Sequence, residues 1–154
     1  MQIAFETPDQ PDVHALIGEL DAFLYALYPP HNVYALDIAA LLDPNVLFAV
    51  VRDADGVAVG CGAIVVQADI GELKRLYIRP GARGKGHARR LLETLEARAM
   101  QQGCTTFLLE SGPLNMEALI LYERLGYRYR QAFGDYPEDP CSVFMQKSVA
   151  DDAG

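Results

Sequence analysis

Arg79-Pro80-Gly81-Ala82-Arg83-Gly84-Lys85-Gly86-His87-Ala88 is the stretch on which the reading of this chain turns. Before it runs Glu72-Leu73-Lys74-Arg75-Leu76-Tyr77-Ile78, where Leu73 and the run from Leu76 to Ile78 favour an extended backbone. Pro80-Gly81 stops that strand. After it, Ala88, Leu91, Leu92, Leu95 and Ala99 fall at helical spacing, with Arg89, Arg90, Glu93, Glu96 and Arg98 on the polar face and Gly103 as the stop. The unit is a strand, a basic glycine-containing turn and a helix.

Such a turn has a chemical use. The first amides of a helix have no internal acceptor, and the helix dipole makes that end partly positive. Glycines at 84 and 86 let a phosphate approach the backbone, and Arg83 and Lys85 add positive charge. A connection that needs glycine only for its turn would look the same. A Walker A loop fails on spacing, because His87 and Ala88 follow Gly86 where lysine and a hydroxyl are required. A dinucleotide fingerprint fails because Arg89 stands where its third glycine belongs.

What remains, Arg83-x-x-Gly86-x-Ala88, resembles the Arg/Gln-x-x-Gly-x-Gly/Ala loop of the GNAT acyltransferase superfamily. That loop holds the pyrophosphate of acetyl-CoA. A second match follows in the family's order, from Asn115-Met116-Glu117-Ala118 through Leu121-Tyr122 to Gly126-Tyr127. In the family this segment builds the pantetheine side of the site. The resemblance covers about residues 46–147. His87 departs from it, standing where the family usually carries an aliphatic residue, and Ala88 replaces the commoner glycine.

Size and composition agree with one such domain. The chain has 154 residues, 51% hydrophobic and 22% charged, within the range of single-domain globular proteins. No apolar run approaches the ~20 residues of a membrane span. Met1-Gln2-Ile3-Ala4-Phe5-Glu6 carries no basic start or long apolar run, so no signal peptide is expected. Cys61, Cys104 and Cys141 lack metal-ligand spacing and read as reduced thiols of a cytoplasmic protein. The net charge of −8 argues against nucleic acid or an anionic membrane as partner and is compatible with an amine substrate.

Along the chain the pattern predicts a strand at 2–5, a helix over about 11–27, and a short helix over about 35–42. Two strands at 46–51 and 57–66 flank the turn Asp55-Gly56, and Gly60 and Gly62 predict a bulge or a close backbone approach. Beyond the central helix come a strand at 105–110, a helix over about 115–125, strands at 127–131 and 142–147, and an acidic tail over 148–154. The expected fold is α+β. The resemblance makes it the GNAT fold: a mixed, largely antiparallel sheet of about six to seven strands with four helices in α/β/α layers, one domain over 1–154.

The resemblance also implies roles. Leu76, Tyr77 and Ile78 would bind the pantetheine arm through their backbone, in a gap where two strands splay apart. Arg83, Gly84, Lys85, Gly86, His87 and Ala88 would hold the pyrophosphate, with Asn115 on the pantetheine side or as helix N-cap. Tyr122 falls where the family often has the acid that protonates the departing thiolate, and an alkaline loss of rate is then expected as it ionises. Glu72, ahead of Glu110, is the expected base, acting through water. Tyr28, His31, Glu110, Phe133 and Tyr136 are candidates for the acceptor pocket. The implied reaction is direct acetyl transfer from acetyl-CoA to the primary amine of a small molecule, without metal. A non-catalytic acyl-CoA sensor, a protein amino-group acetyltransferase and a homodimer are compatible with the same residues.

Overall fold

Val46 to Arg52 alternates its side chains between two cores, and the protein is layered accordingly. Phe48 and Val50 face one cluster with Val13, Leu16, Ile17 and Leu20; Ala49 and Val51 face the other with Leu91, Leu92, Leu95 and Phe107. A strand apolar on both faces must be covered on both. The computed structural model describes residues 1–149, so residues 150–154 of the expected acidic tail lie outside the described residues.

The elements in order are β1 (Gln2–Phe5), α1 (Pro11–Leu27), α2 (Ile38–Leu41), β2 (Val46–Arg52), β3 (Ala58–Gln67), β4 (Ile70–Ile78), α3 (His87–Gln101), β5 (Thr106–Ser111), α4 (Met116–Arg124), β6 (Arg128–Arg130) and β7 (Val143–Ser148). Short 3-10 turns cover Pro30–Asn32 and Pro80–Ala82. The seven strands form one sheet in the order β1-β2-β3-β4-β5-β7-β6. Every pairing is antiparallel except β4 with β5. Helix α1 packs on one face; α3 and α4 contribute buried residues to the core on the other.

The second helix is shorter than its spacing predicts. Asp37 caps it by accepting from the Ala40 amide at 2.8 Å, so it begins at Ile38. Ahead of it the main chain serves β4 instead: Tyr34 O accepts from Lys74 Nζ, and Leu36 O accepts from Arg75 Nε.

Two features of β4 shape the site. First, it pairs with β5 only from Ile70 to Leu73, opposite Thr106 to Leu109, and beyond that point the two strands part. Second, it carries a bulge. Cys61 faces Tyr77 and Ala63 faces Lys74, so Arg75 and Leu76 together oppose Gly62. Arg75 takes φ +58°, a left-handed conformation rare for a non-glycine residue. The glycines of β3 admit this partner closely: a Cβ on Gly60 would lie 2.9 Å from Tyr77 O and 2.4 Å from the Ile78 side chain.

Candidate active site

The loop after β4 leaves its amides free. Gly84 and Gly86 take φ +80° and +79°, which a side chain would resist, and nothing lies within 4 Å of where their Cβ atoms would stand. Gly86 is the N-cap of α3 and has no side chain with which to cap. The first main-chain bond of the helix runs from Arg90 N–H to Gly86 O at 3.1 Å. Among the described residues, no amide from Gly84 to Arg89 donates within the chain. His87 Nδ1 is buried and also lacks a partner there. Unspent donors at a helix start suit an oxyanion. Lys85 is exposed beside them, whereas Arg83 folds back, its Nε donating to Ile78 O at 2.8 Å.

Where β4 and β5 part, a cavity of about 110 Å³ opens. Lys74, Arg75 and Leu76 line one wall, and Glu110, Ser111, Gly112, Asn115 and Tyr122 line the other. Leu20, Leu24, Tyr28, Tyr34 and Cys141 close the far side. Tyr122 comes from α4 and is 6% exposed, its ring 5.9 Å from that of Tyr127. Its hydroxyl bonds to no other described residue. Burial, with the Glu110 charge adding to it, holds that phenol above its ordinary pKa.

The two candidate carboxylates differ in surroundings. Glu110 lines the cavity, accepts from Ser142 Oγ at 2.8 Å, and has its pKa raised by burial. Glu72 is not part of the cavity wall. It accepts from Tyr136 Oη at 2.6 Å and lies 3.2 Å from Lys74 Nζ. Tyr136 packs edge-on against Tyr34, Phe133 and Phe144, so Phe133 and Tyr136 form an aromatic cluster behind Glu72 rather than cavity wall. His31 is exposed on its 3-10 turn, away from the cavity.

Asn115 sits at the N-cap position of α4, but its side chain caps nothing. Its Oδ1 accepts from the Tyr28 hydroxyl at 3.1 Å, and that hydroxyl accepts from the Leu114 amide at 3.0 Å. Tyr28 lies over Gly112, where a Cβ would stand 1.9 Å from Oη and 2.1 Å from Cζ. Gly112→Ala therefore forces the ring aside. We expect a loss of ~1–3 kcal/mol, as for an overpacked core, read by calorimetry as a melting point lower by about 3–10 °C.

Residues 13–127 match the model of the acetyltransferase (GNAT) family. The chain belongs to the GNAT family. A curated relative from Azospirillum brasilense, named an IAA acetyltransferase, is 42% identical over 149 residues, covering 96% of this chain and 97% of its own. The Bacillus subtilis N-acetyltransferase YsnE is 32% identical and covers 89% of this chain and 92% of its own. A crystal structure of an acyl-CoA N-acyltransferase from Klebsiella pneumoniae shares 40% identity and superposes with a TM-score of 0.84, covering 96% of this chain and 97% of that one. The Thermoplasma acidophilum PaiA N-acetyltransferase, solved with coenzyme A, shares the fold at 20% identity and a TM-score of 0.71, over 96% of this chain and 99% of that one. This chain is thus an acyltransferase of the GNAT type, with the family's mixed sheet and four helices. Among the described residues there is no group of three or more His, Cys, Asp or Glu able to hold a metal ion, and no helix long and apolar enough to cross a membrane.

The residues that sequence reasoning missed are Tyr34, Lys74, Arg75 and Cys141. Arg75 left one indirect signal, the glycines at 60 and 62 that pointed to a bulge. The structure puts the extra residue on β4, opposite them.

Proposed function

We propose that this GNAT protein transfers the acetyl group of acetyl-CoA directly to the primary amine of a small molecule. The observation that carries the proposal is the gap between β4 and β5. It runs from a loop of unspent amides to a cavity holding a partly buried carboxylate and an unpaired phenol. The free amides of 84–89, His87 Nδ1 and Lys85 suit the pyrophosphate, and Leu76 and Asn115 border the channel for the pantetheine arm. Acetyl-CoA brings an activated thioester. The chain's own groups must then accept the proton of the amine, polarise the carbonyl and protonate the departing sulfur. The unpaired backbone edge of β4 around Leu76 suits the carbonyl, and Tyr122 Oη suits the sulfur.

For the base, the geometry favours Glu110 over Glu72. Glu110 borders the cavity, whereas Glu72 lies outside its wall with Oε2 shared by Tyr136 and Lys74. Glu72 then acts at one remove, holding Lys74 and the aromatic cluster in place. A base works ionised, so the rate should fall as pH drops through a Glu110 pKa that lies above the ordinary carboxylate value. Glu110→Gln should lose that acidic limb, with a loss of about tenfold near neutral pH. The deficit should vanish at alkaline pH, where the amine loses its proton unaided. The folded carboxylate holds its proton more tightly than the unfolded one, so stability falls as pH rises past the unfolded pKa. The glutamine variant should therefore be at least as stable at neutral pH.

A panel of small primary amines, assayed by release of free thiol from acetyl-CoA, tests the whole reading. The Azospirillum relative is named an IAA acetyltransferase, so IAA is assayed beside the amines as a separate acceptor. Acetyl-CoA binding with no thiol release above buffer would refute the enzymatic reading in favour of a sensor.

A further inference from the structure

Among the described residues, no main-chain hydrogen bond of the ladder joins β4 to β5 once their pairing ends at Leu73 and Leu109. Helix α1 touches both sides of that gap. On the β4 side, Asp21 Oδ1 accepts from Arg75 Nη1 at 2.5 Å, and Arg75 Nε donates to Leu36 O at 2.7 Å. Two residues earlier, Glu19 accepts from the Tyr77 hydroxyl at 3.1 Å and pairs with Arg79 at 2.9 Å. On the other side stands Tyr28, the C-cap of the same helix, whose amide donates to Leu24 O at 2.9 Å. Its hydroxyl holds the Leu114 amide and Asn115 Oδ1, and its ring lies on Gly112.

We infer that α1 is a strut that sets the width of the gap between β4 and β5, through Asp21 on one side and Tyr28 on the other. The inference rests on the coenzyme A reading above, because the gap matters only as the channel for the pantetheine arm.

Asp21 and Tyr28 are seven residues apart on a helix that rises 1.5 Å per residue, so their main chains are held about 10 Å apart along it. The strut is also stiff and anchored, since Val13 and Leu16 are fully buried against the sheet. Finally, Arg75 bears the left-handed φ of the bulge. A strained backbone persists only where its surroundings hold it, and here the Asp21 and Leu36 contacts do so. Arg75, Asp21 and Tyr28 are thus positioning residues that act through β4 and through the start of α4.

The test compares two ligands by titration calorimetry: coenzyme A, and 3′-phosphoadenosine 5′-diphosphate, its nucleotide half, which needs the loop but not the gap. The variants are Arg75→Gly, Asp21→Asn and Tyr28→Phe. Glycine adopts a positive φ freely, so Arg75→Gly keeps the bulge while removing the contacts to Asp21 and Leu36 and the side chain that borders the cavity, and Asp21→Asn weakens the Asp21 contact alone. Tyr28→Phe keeps the ring over Gly112 and removes both hydrogen bonds. Each variant should bind coenzyme A about tenfold more weakly, the scale of one hydrogen bond. The nucleotide half should bind each variant as it binds the wild type. Arg75→Gly combined with Asp21→Asn should lose no more than Arg75→Gly alone, because glycine has already removed the donor that Asp21 holds. Unchanged coenzyme A affinity in all three variants overturns the strut. Equal weakening of both ligands also overturns it, since that is general destabilisation. A wild type that binds neither ligand refutes the cofactor reading itself, and the strut falls with it.

Discussion

Gly86→Glu should weaken coenzyme A binding by at least about 100-fold, or ~2.7 kcal/mol. Gly86 is the N-cap of α3, at the centre of the amides that donate to nothing among the described residues. Two effects of the substitution must be separated. A side chain at φ +79° costs roughly 1–3 kcal/mol of backbone strain. That cost falls on folding and reaches binding only if the loop relaxes. The carboxylate falls on binding directly, by bringing a negative charge to where phosphate must sit. Two unit charges about 5 Å apart near a surface repel by roughly 3 kcal/mol, and salt screens part of it. Gly86→Ala separates the effects. Nothing within 4 Å obstructs its Cβ, so it should lower the melting point while changing affinity by less than about fivefold. Titration calorimetry on both variants decides. Equal losses for alanine and glutamate would mean that loop conformation, not charge, governs the site, and unchanged affinity in both would remove the loop from the cofactor site.

The loop and the two-core sheet were legible in the sequence because their signals are local. Helical spacing from Ala88 to Ala99 and the glycines at 84 and 86 survive without any tertiary partner. Helix α1, expected over about 11–27, was legible for the same reason. The acceptor side was not legible, because its geometry depends on contacts far apart in the chain. Tyr28 meets Leu114 and Asn115 across more than eighty residues, and Lys74 reaches back to Tyr34 O. No spacing rule reports such contacts. The choice between Glu72 and Glu110 was closed to the sequence for the same reason. They lie on neighbouring strands, Glu72 inside the pairing opposite Leu108 and Glu110 just beyond its end at Leu109. Which carboxylate is bound by Tyr136 and which borders the cavity depends on the course of the loop that carries Tyr136.

Tyr122→Phe should lower kcat by roughly 100-fold, the lower end of the range for a positioned general acid, while leaving fold and cofactor affinity intact. Phenylalanine keeps the buried ring and its packing beside Tyr127. The hydroxyl gives up no hydrogen bond to another described residue, so its removal should leave the melting point level or slightly raised. That separates chemistry from stability, since a residue serving only the core would leave both kcat and the melting point unchanged. The pH dependence changes what the sequence suggested. Ionisation of Tyr122 was expected to shape the alkaline limb. Burial and the nearby Glu110 charge raise its pKa, so the protonated form persists further into alkaline pH than for an ordinary tyrosine. The phenol is then a donor throughout the working range, and wild type and variant should trace profiles of the same shape at different heights. The raised pKa is also a reason to expect a modest factor. A phenol reluctant to ionise gives its proton only as charge builds on sulfur, and a thiolate departs tolerably without help. Acceptor saturation curves for both proteins at several pH values decide. Equal kcat would leave Tyr122 a core residue and move protonation of the sulfur to water, whereas an alkaline limb present only in the wild type would show that the phenol ionises within reach after all.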